Sequence, residues 1–489
     1  MAGAAQISLS WSRLQGTELS DEASSVAVGK DGSIYIAGQT EGNLAKQANA
    51  NVGRTDAFLT KYNSDGIAQW TKLLGGEGAD AATALTVAND GSILLTGYVI
   101  AVPVFKEGSF EGQKINGYDA FVTKWSNDGA KIWTRTVGGT GDEYAWAVAS
   151  DKSGAIYVAG TMVNGIDGQK SFGGLDIFVT KFSSDGTKLW TKAIGTSGYD
   201  KPAAIVVGPD DALYLAGSTT GNLNGQTNNG GIHGAYNAFV SKLTLDGTPV
   251  WTRLIGSTSE ATASSLVTSG DGSVYVVGTT FGNGAGDGDF DGQRNHGGED
   301  GFVVKFKSDG TKVWTRIFGT DGVDNAMGAS IGSDGGIYVA GSTTGSLDGQ
   351  GIASPYGGLI KPTGYYGADM YIAYFSIDGN TLWTKQFGTG SANQSSDDLA
   401  KALVSGGSGT IYVVGSTQGT LGGQNKSGLY NYDAFLTKWT TPHTLTVLVD
   451  KGILGPNPVL LKDLVEEIRS GSGNLNRLDE CNTGFFAEA

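Results

Sequence analysis

The run Asp287-Gly288-Asp289-Phe290-Asp291-Gly292 carries the sharpest hint of chemistry in the chain. Alternating carboxylates closed by glycine suit a Ca²⁺ loop, because hard oxygen ligands must converge around a tight turn. Asp287, Asp289 and Asp291 are the metal-ligand candidates, and Ca²⁺ is the one cofactor suggested. Two features weaken it. The bidentate acid expected at the twelfth position is replaced by Gly298, although Glu299 and Asp300 follow. Asp291-Gly292 also repeats a turn found as Asp167-Gly168 and Asp348-Gly349. A second acidic set recurs at regular intervals as Asp21, Asp80, Glu143, Asp200, Asp324 and Asp398, broken at Ala261 beside Glu260. Such carboxylates could ring a channel mouth and hold a cation, or each could cap a turn by accepting backbone N–H bonds. Two apolar stretches interrupt otherwise polar loops. One holds Val99, Ile100, Val102, Val104 and Phe105; the other holds Tyr356, Leu359, Ile360, Tyr365 and Tyr366. Phe105, Tyr356, Tyr365 and Tyr366 are the ligand-contact candidates, as exposed aromatic clusters mark partner or glycan sites. The alternative is that they fold back over their own strands.

These residues are positioned by a repeat. A tryptophan followed by a hydroxyl and a basic residue returns as Trp11, Trp70, Trp133, Trp190, Trp251, Trp314 and Trp383, spaced 57 to 69 residues apart. Between successive tryptophans come an Ala/Val-rich run, a β-branched run such as IYVAG, and a run such as DAFVTK. Each is short, apolar or β-branched, and bounded by Gly, Asp, Asn or Ser, which is the mark of a strand. Four strands in each of seven units predict an all-β, seven-bladed β-propeller of antiparallel blades. The chain opens with a lone outer strand, SLSWSRLQ, and its seventh unit ends at Trp439 without a fourth strand. Pairing Ser8–Gln15 with Asp433–Trp439 would close the ring and leave no open seam. Residues 1–440 are thus read as the propeller and 441–489 as a tail with a strand and a short amphipathic helix.

The pattern xxDAFVTKxxxDGxxxWTxxxGG resembles the bacterial SBBP repeat, named for a seven-bladed β-propeller, over about residues 8 to 440. Unit six departs most, reading DMYIAYF from Asp369. The resemblance implies the fold and a leaning towards surface or secreted proteins, and little more on activity.

The strand order places two sets of short Asp-Gly hairpins on one face, where two-residue turns are expected. The opposite face carries the second-to-third loops and the crossovers, and binding is expected there. A glutamine recurs in those loops as Gln47, Gln113, Gln169, Gln226, Gln293, Gln350 and Gln424, read as an amide that satisfies backbone groups. The recurring tryptophans are read as packing between blades.

Composition excludes several classes. Glycine supplies 80 of 489 residues against 9 prolines, with no collagen period. The net charge of −15 and the lack of a basic stripe argue against nucleic acid. No run is long enough to insert in a membrane. Cys481 is the only cysteine, so no internal disulfide forms. Met1–Gly16 lacks the pattern of a signal peptide, so export would use another route. The expected location is extracellular or cell-surface, with a cytoplasmic or virion-associated protein as the alternative. His233, His296 and His443 are the only histidines, and none sits in a hydrolase or zinc pattern. The hairpin SSDGTKLW resembles the sialidase Asp-box with glycine one position early, and in those enzymes the box is structural. The expected function is therefore non-enzymatic: a binding, adhesion or scaffold module, lectin-like or protein-binding. A glycan hydrolase or lyase on the same face and a purely structural spacer are the alternatives.

Overall fold

The computed structural model describes residues 7–47, 54–101, 107–228, 235–256, 260–282, 289–349, 367–389, 396–407, 409–424, 426 and 431–441. The chain divides into two compact units, Met1–Thr441 and Pro442–Ala489. The expected tail elements lie outside the described residues.

Seven four-stranded antiparallel sheets form the first unit, a seven-bladed β-propeller. In the third blade the order from the inside is Glu143–Ser150, Ile156–Met162, Asp176–Phe182 and Lys188–Ile194. The seventh blade is completed by the N-terminal strand, with Ser8 opposite Thr440 and Gln15 opposite Ala434. Closure is as the sequence predicts. The divergent run Asp369–Phe375 is also a full third strand, paired on both sides. Second and third strands are buried along nearly their whole length, which their continuous Val/Ile/Ala/Phe runs require. The core is accordingly a series of layers between blades: Tyr35 and Leu59 of the first blade, for example, share a cluster with Leu85, Leu95 and Phe121 of the second.

The recurring tryptophans build the seams at the hairpin end. A Cβ on Gly186 would fall 2.9 Å from the Trp133 ring, and the same closeness recurs for Gly129 with Trp70 and Gly379 with Trp314 at 2.9 and 2.8 Å. These glycines sit at φ near +80°, a region that side chains disfavour. Nε1 of Trp251 and of Trp314 each donate to a carbonyl of the next hairpin, Ser308 and Ile377, at 3.1 Å. The arginine of each WTR run adds a second tie: Arg135 to Gly186 O at 2.9 Å and Arg316 to Gly379 O at 2.7 Å. Glycine-bearing hairpins and WTR runs are thus two halves of one joint.

One expectation needs correction. The hairpins are three-residue loops, not two-residue ones: Gly29 N donates to Ser33 O while Gly32 N donates to Gly29 O. A type I turn followed by glycine at positive φ matches strand twist as well as a primed turn does.

Candidate functional site

Of the expected ligand contacts, Phe105, Tyr356, Tyr365 and Tyr366 lie outside the described residues, as do Asp287, Gln350, His233 and His443. The Asp289 backbone forms a two-residue strand with Phe290, paired to Gln293–Arg294. Asp291 holds Lys312 Nζ at 2.5 Å and accepts from Thr315 Oγ1 at 2.5 Å. Asp167 repeats this arrangement with Lys188 and Thr191. Both tie a loop to its own outer strand, so Asp291 has a structural role shared with the third blade. Among the described residues no group of three or more His, Cys, Asp or Glu side chains is arranged to hold a metal.

Three of the recurring glutamines, Gln47, Gln293 and Gln424, behave as the sequence suggests. Gln293 Nε2 donates to Thr315 O at 2.7 Å and its Oε1 accepts from Ile317 N at 3.2 Å. Gln424 does the same to Ser12 O and Leu14 N. One amide thus pairs both groups of an outer strand edge, blunting an edge that would otherwise accept another strand.

The recurring acids cap crossover turns. Asp21, Asp200 and Asp324 each accept from both the backbone N (2.6 Å) and the hydroxyl of the threonine four residues before. Glu143 accepts from Gly139 N at 2.7 Å, and Asp398 from Thr389 N at 2.7 Å. The turn-capping reading holds for these side chains.

A grouping on the long-loop face was not foreseen. Every inner strand has a register shift after its third residue or so, as between Ala145 and Ala147. The extra residue is Trp146 in the third blade, where the first blade has Ser24. A bulge of this kind re-aims a side chain. Tyr144 stacks on Trp146 with centroids 6.0 Å apart and rings 20° from parallel. Tyr98 and Tyr118 of the second blade both meet Tyr144 at 5.2 Å. Lys201, on the fourth blade's inner strand, places its ammonium 4.0 Å from the Trp146 centroid. Trp146 Nε1 donates to Thr161 Oγ1 at 3.0 Å, which fixes the ring's orientation. All four rings are half-buried, and Lys201 is exposed along part of its length. Burial lowers the Lys201 pKa and raises those of Tyr98 and Tyr144, with neighbouring acids and tyrosines adding to the rise. The result is an aromatic platform with an ammonium at one edge, built from three blades.

The signal was in the sequence. The inner-strand run of unit three reads EYAWAVAS, and no other unit places an aromatic residue in the same stretch.

Beside this platform, in sequence and in blade order, lies a cavity of about 780 Å³ lined by Gly139, Thr140 and residues 164–173. Phe172 stands at its edge, and Tyr199 packs within 3.3 Å of the Cβ position of Gly174. Both rings are more than half exposed, at 57% and 56%. His296, the one described histidine, donates its backbone N–H to Asp300.

No protein-family profile matches the chain. It is similar to the regulatory protein FlaEY of Caulobacter vibrioides, 27% identical over 380 residues, which are 71% of this chain and 39% of that protein. The chain therefore spans well under half the length of this relative. Among solved structures it is similar to the Pan2 WD40 domain of Neurospora crassa, at 11% identity and a TM-score of 0.49, covering 91% of this chain and 98% of that one. A puromycin hydrolase matches at 11% identity and a TM-score of 0.46, covering 83% of this chain and 51% of that one. No helix among the described residues is long and apolar enough to cross a membrane.

Proposed function

We propose that this chain is a non-enzymatic recognition module that binds a carbohydrate on the long-loop face, over blades two to four. The observation that carries this reading is the stacked Tyr144–Trp146 pair with Lys201 at its edge. Half-exposed rings offer flat apolar faces to the C–H side of a sugar, and tyrosine hydroxyls supply donors at their rims. The ammonium selects ligands with a carboxylate or another acidic substituent. The outward rings of Phe172 and Tyr199 beside a cavity extend the same face. A surface or secreted location suits such a module.

A protein partner on this face is the second reading, favoured by likeness to a protein named as regulatory. A glycan-array screen, run with Ca²⁺ and again with chelator, separates these readings. Binding to acidic glycans supports the proposal, while loss of signal in chelator would add a metal site. A flat array overturns it in favour of a protein partner. Turnover of a bound glycan would make the chain an enzyme instead.

A further inference from the structure

Each crossover acid has a counterpart. The third strand of the preceding blade carries Asp56, Asp119, Asp176, Asp300, Asp369 or Asp433 as its first or second residue, and these face Asp80, Glu143, Asp200, Asp324, Asp398 and Asp21 in turn. A repeated backbone bond brings them together. Asp80 N donates to Thr55 O, Asp200 N to Leu175 O and Asp21 N to Tyr432 O, each at 2.7 Å; Asp398 N donates to Ala368 O at 2.8 Å. In each case the acceptor is the residue just before the facing aspartate. All twelve side chains are at most 4% exposed.

Their outer oxygens are well supplied with donors. Asp119 takes Asn116 N, Asp176 takes Phe172 N and Ser171 Oγ, and Asp369 takes Gln386 Nε2. The inner oxygens vary: Asp80 Oδ1 accepts from Ile100 N at 3.3 Å and Asp398 Oδ1 from Thr389 Oγ1 at 2.9 Å, while four others stand apart. No donor among the described residues reaches Oδ1 of Asp119, Asp176 or Asp300, or Oε1 of Glu143. At the Asp300–Asp324 seam, a Cβ on Gly319 would lie 1.9 Å from Asp300 Oδ1 and 3.0 Å from Asp324 Oδ2, so oxygens of both acids border one small space. The seventh seam is instructive: where the crossover acid is Ala261, the facing residue is Asn237, joined through Ala261 N to Tyr236 O. Both acids are absent there together. The carboxyls occur as pairs or not at all.

Two buried carboxylates side by side cannot both stay ionised without a large cost. We propose that each of these six pairs shares one proton, so that the seams between blades are locked in mildly acidic solution and loosen as the medium turns alkaline. A proton fits better than a cation. Ca²⁺ needs six to eight oxygen ligands, and two carboxyls whose outer oxygens already accept hydrogen bonds supply too few. Among the described residues, His296 lies near Asp300 and Asp324, and Lys426 near Asp433. The other described neighbours include neutral hydroxyls, the Gln386 amide and further acids. Thr219 and Thr417 adjoin Asp200 and Asp398, as Thr40 and Thr343 adjoin Asp21 and Asp324. Asp142 and Asp167 act on Glu143, Tyr98 senses Asp80, and Tyr432 senses Asp398.

Burial first, and the partner acid next among the raising influences, push Asp80 up to about 7 and Asp21 and Asp398 to about 6. Burial and the nearby acids take Glu143 to about 8, and burial takes Asp119 to about 6. A raised native pKa means that the folded state binds more protons than the unfolded one. The stabilisation is therefore complete below the unfolded value near 4 and is lost as pH rises through 6 to 8.

The test is the thermal midpoint of the purified protein at pH 5.0, 6.5 and 8.0 at constant ionic strength. The midpoint at pH 5.0 should exceed that at pH 8.0 by about 5 °C or more. A midpoint that is flat or rises towards pH 8.0 overturns the proposal. In Asp119→Asn the new amide can donate to Glu143, so the pH-dependent span should narrow and the midpoint at pH 8.0 should rise. An unchanged span overturns the pairing. Should that variant fail to fold, unfolding of the wild type by denaturant at pH 6.5 should release protons into unbuffered solution, and uptake or no change contradicts the claim. Ca²⁺ raising the pH 8.0 midpoint to the pH 5.0 value, reversibly by chelator, would mean that the pairs hold a cation instead.

Discussion

The two ends of each blade treat carboxylates in opposite ways. At the hairpin end, Asp128, Asp185 and Asp246 stand in solvent and are held below the usual range, first by the hydroxyls of Ser126, Ser183 and Thr244 and then by backbone N–H groups of the turn. At the long-loop end the acids are buried in pairs, and burial holds Asp80 and Glu143 above it. The hairpin end therefore loses support as pH falls below about 4, and the loop end as pH rises past 6. The ends also differ in uniformity. Trp, Arg and Asp-Gly hairpins repeat there with little change, while the loop end gathers four rings from two blades and Lys201 from a third. A uniform joint holds the ring together, and the divergent end is free to recognise a ligand.

Substitutions can break this contrast at graded cost. Trp314→Ala removes a ring packed over Gly379 and a hydrogen bond to Ile377 O. It should cost about 3 kcal/mol in denaturant unfolding, and a loss below about 1 kcal/mol would mean that the hairpin seams carry little of the stability. Asp151→Ala comes next. Its buried carboxylate accepts from Ser153 N and Oγ, Ala155 N and Tyr157 Oη. Burial tends to raise its pKa, but these four donors outweigh that and lower it. The loss should be about 2 kcal/mol at pH 7, shrinking as pH falls below 4. Gln293→Ala strips the amide from an outer edge and should cost about 1 kcal/mol, read as a small drop in the urea midpoint; the freed edge should also raise the tendency to aggregate.

Much of the fold was legible because its signals are local and repeated. Seven Trp-hydroxyl-basic runs, four strand-like stretches per unit and a spare first strand fix the blade count and closure. The hairpin length was misjudged, since Asp-Gly serves both two- and three-residue loops and only the bond from Gly29 to Ser33 distinguishes them. The site was less legible. Tyr98, Tyr118, Tyr144 and Trp146 come from three strands of two blades, and their meeting depends on how blades pack. The odd composition of EYAWAVAS was visible, yet the bulge that turns Trp146 out of its strand was not. The aspartates opening DAFVTK read as strand boundaries, because nothing in one repeat reveals the acid that the next blade sets against them.

The account stands most directly on ligand binding by Trp146→Ala. Its binding to the best acidic glycan from the array should be measured by calorimetry beside the wild type and Ile132→Ser, an exposed change at the hairpin end. The account predicts at least a tenfold weaker affinity for Trp146→Ala, equivalent to about 1.4 kcal/mol, with the thermal midpoint nearly unchanged and Ile132→Ser binding as the wild type does. Equal affinity for all three proteins would contradict the assignment of recognition to the aromatic platform.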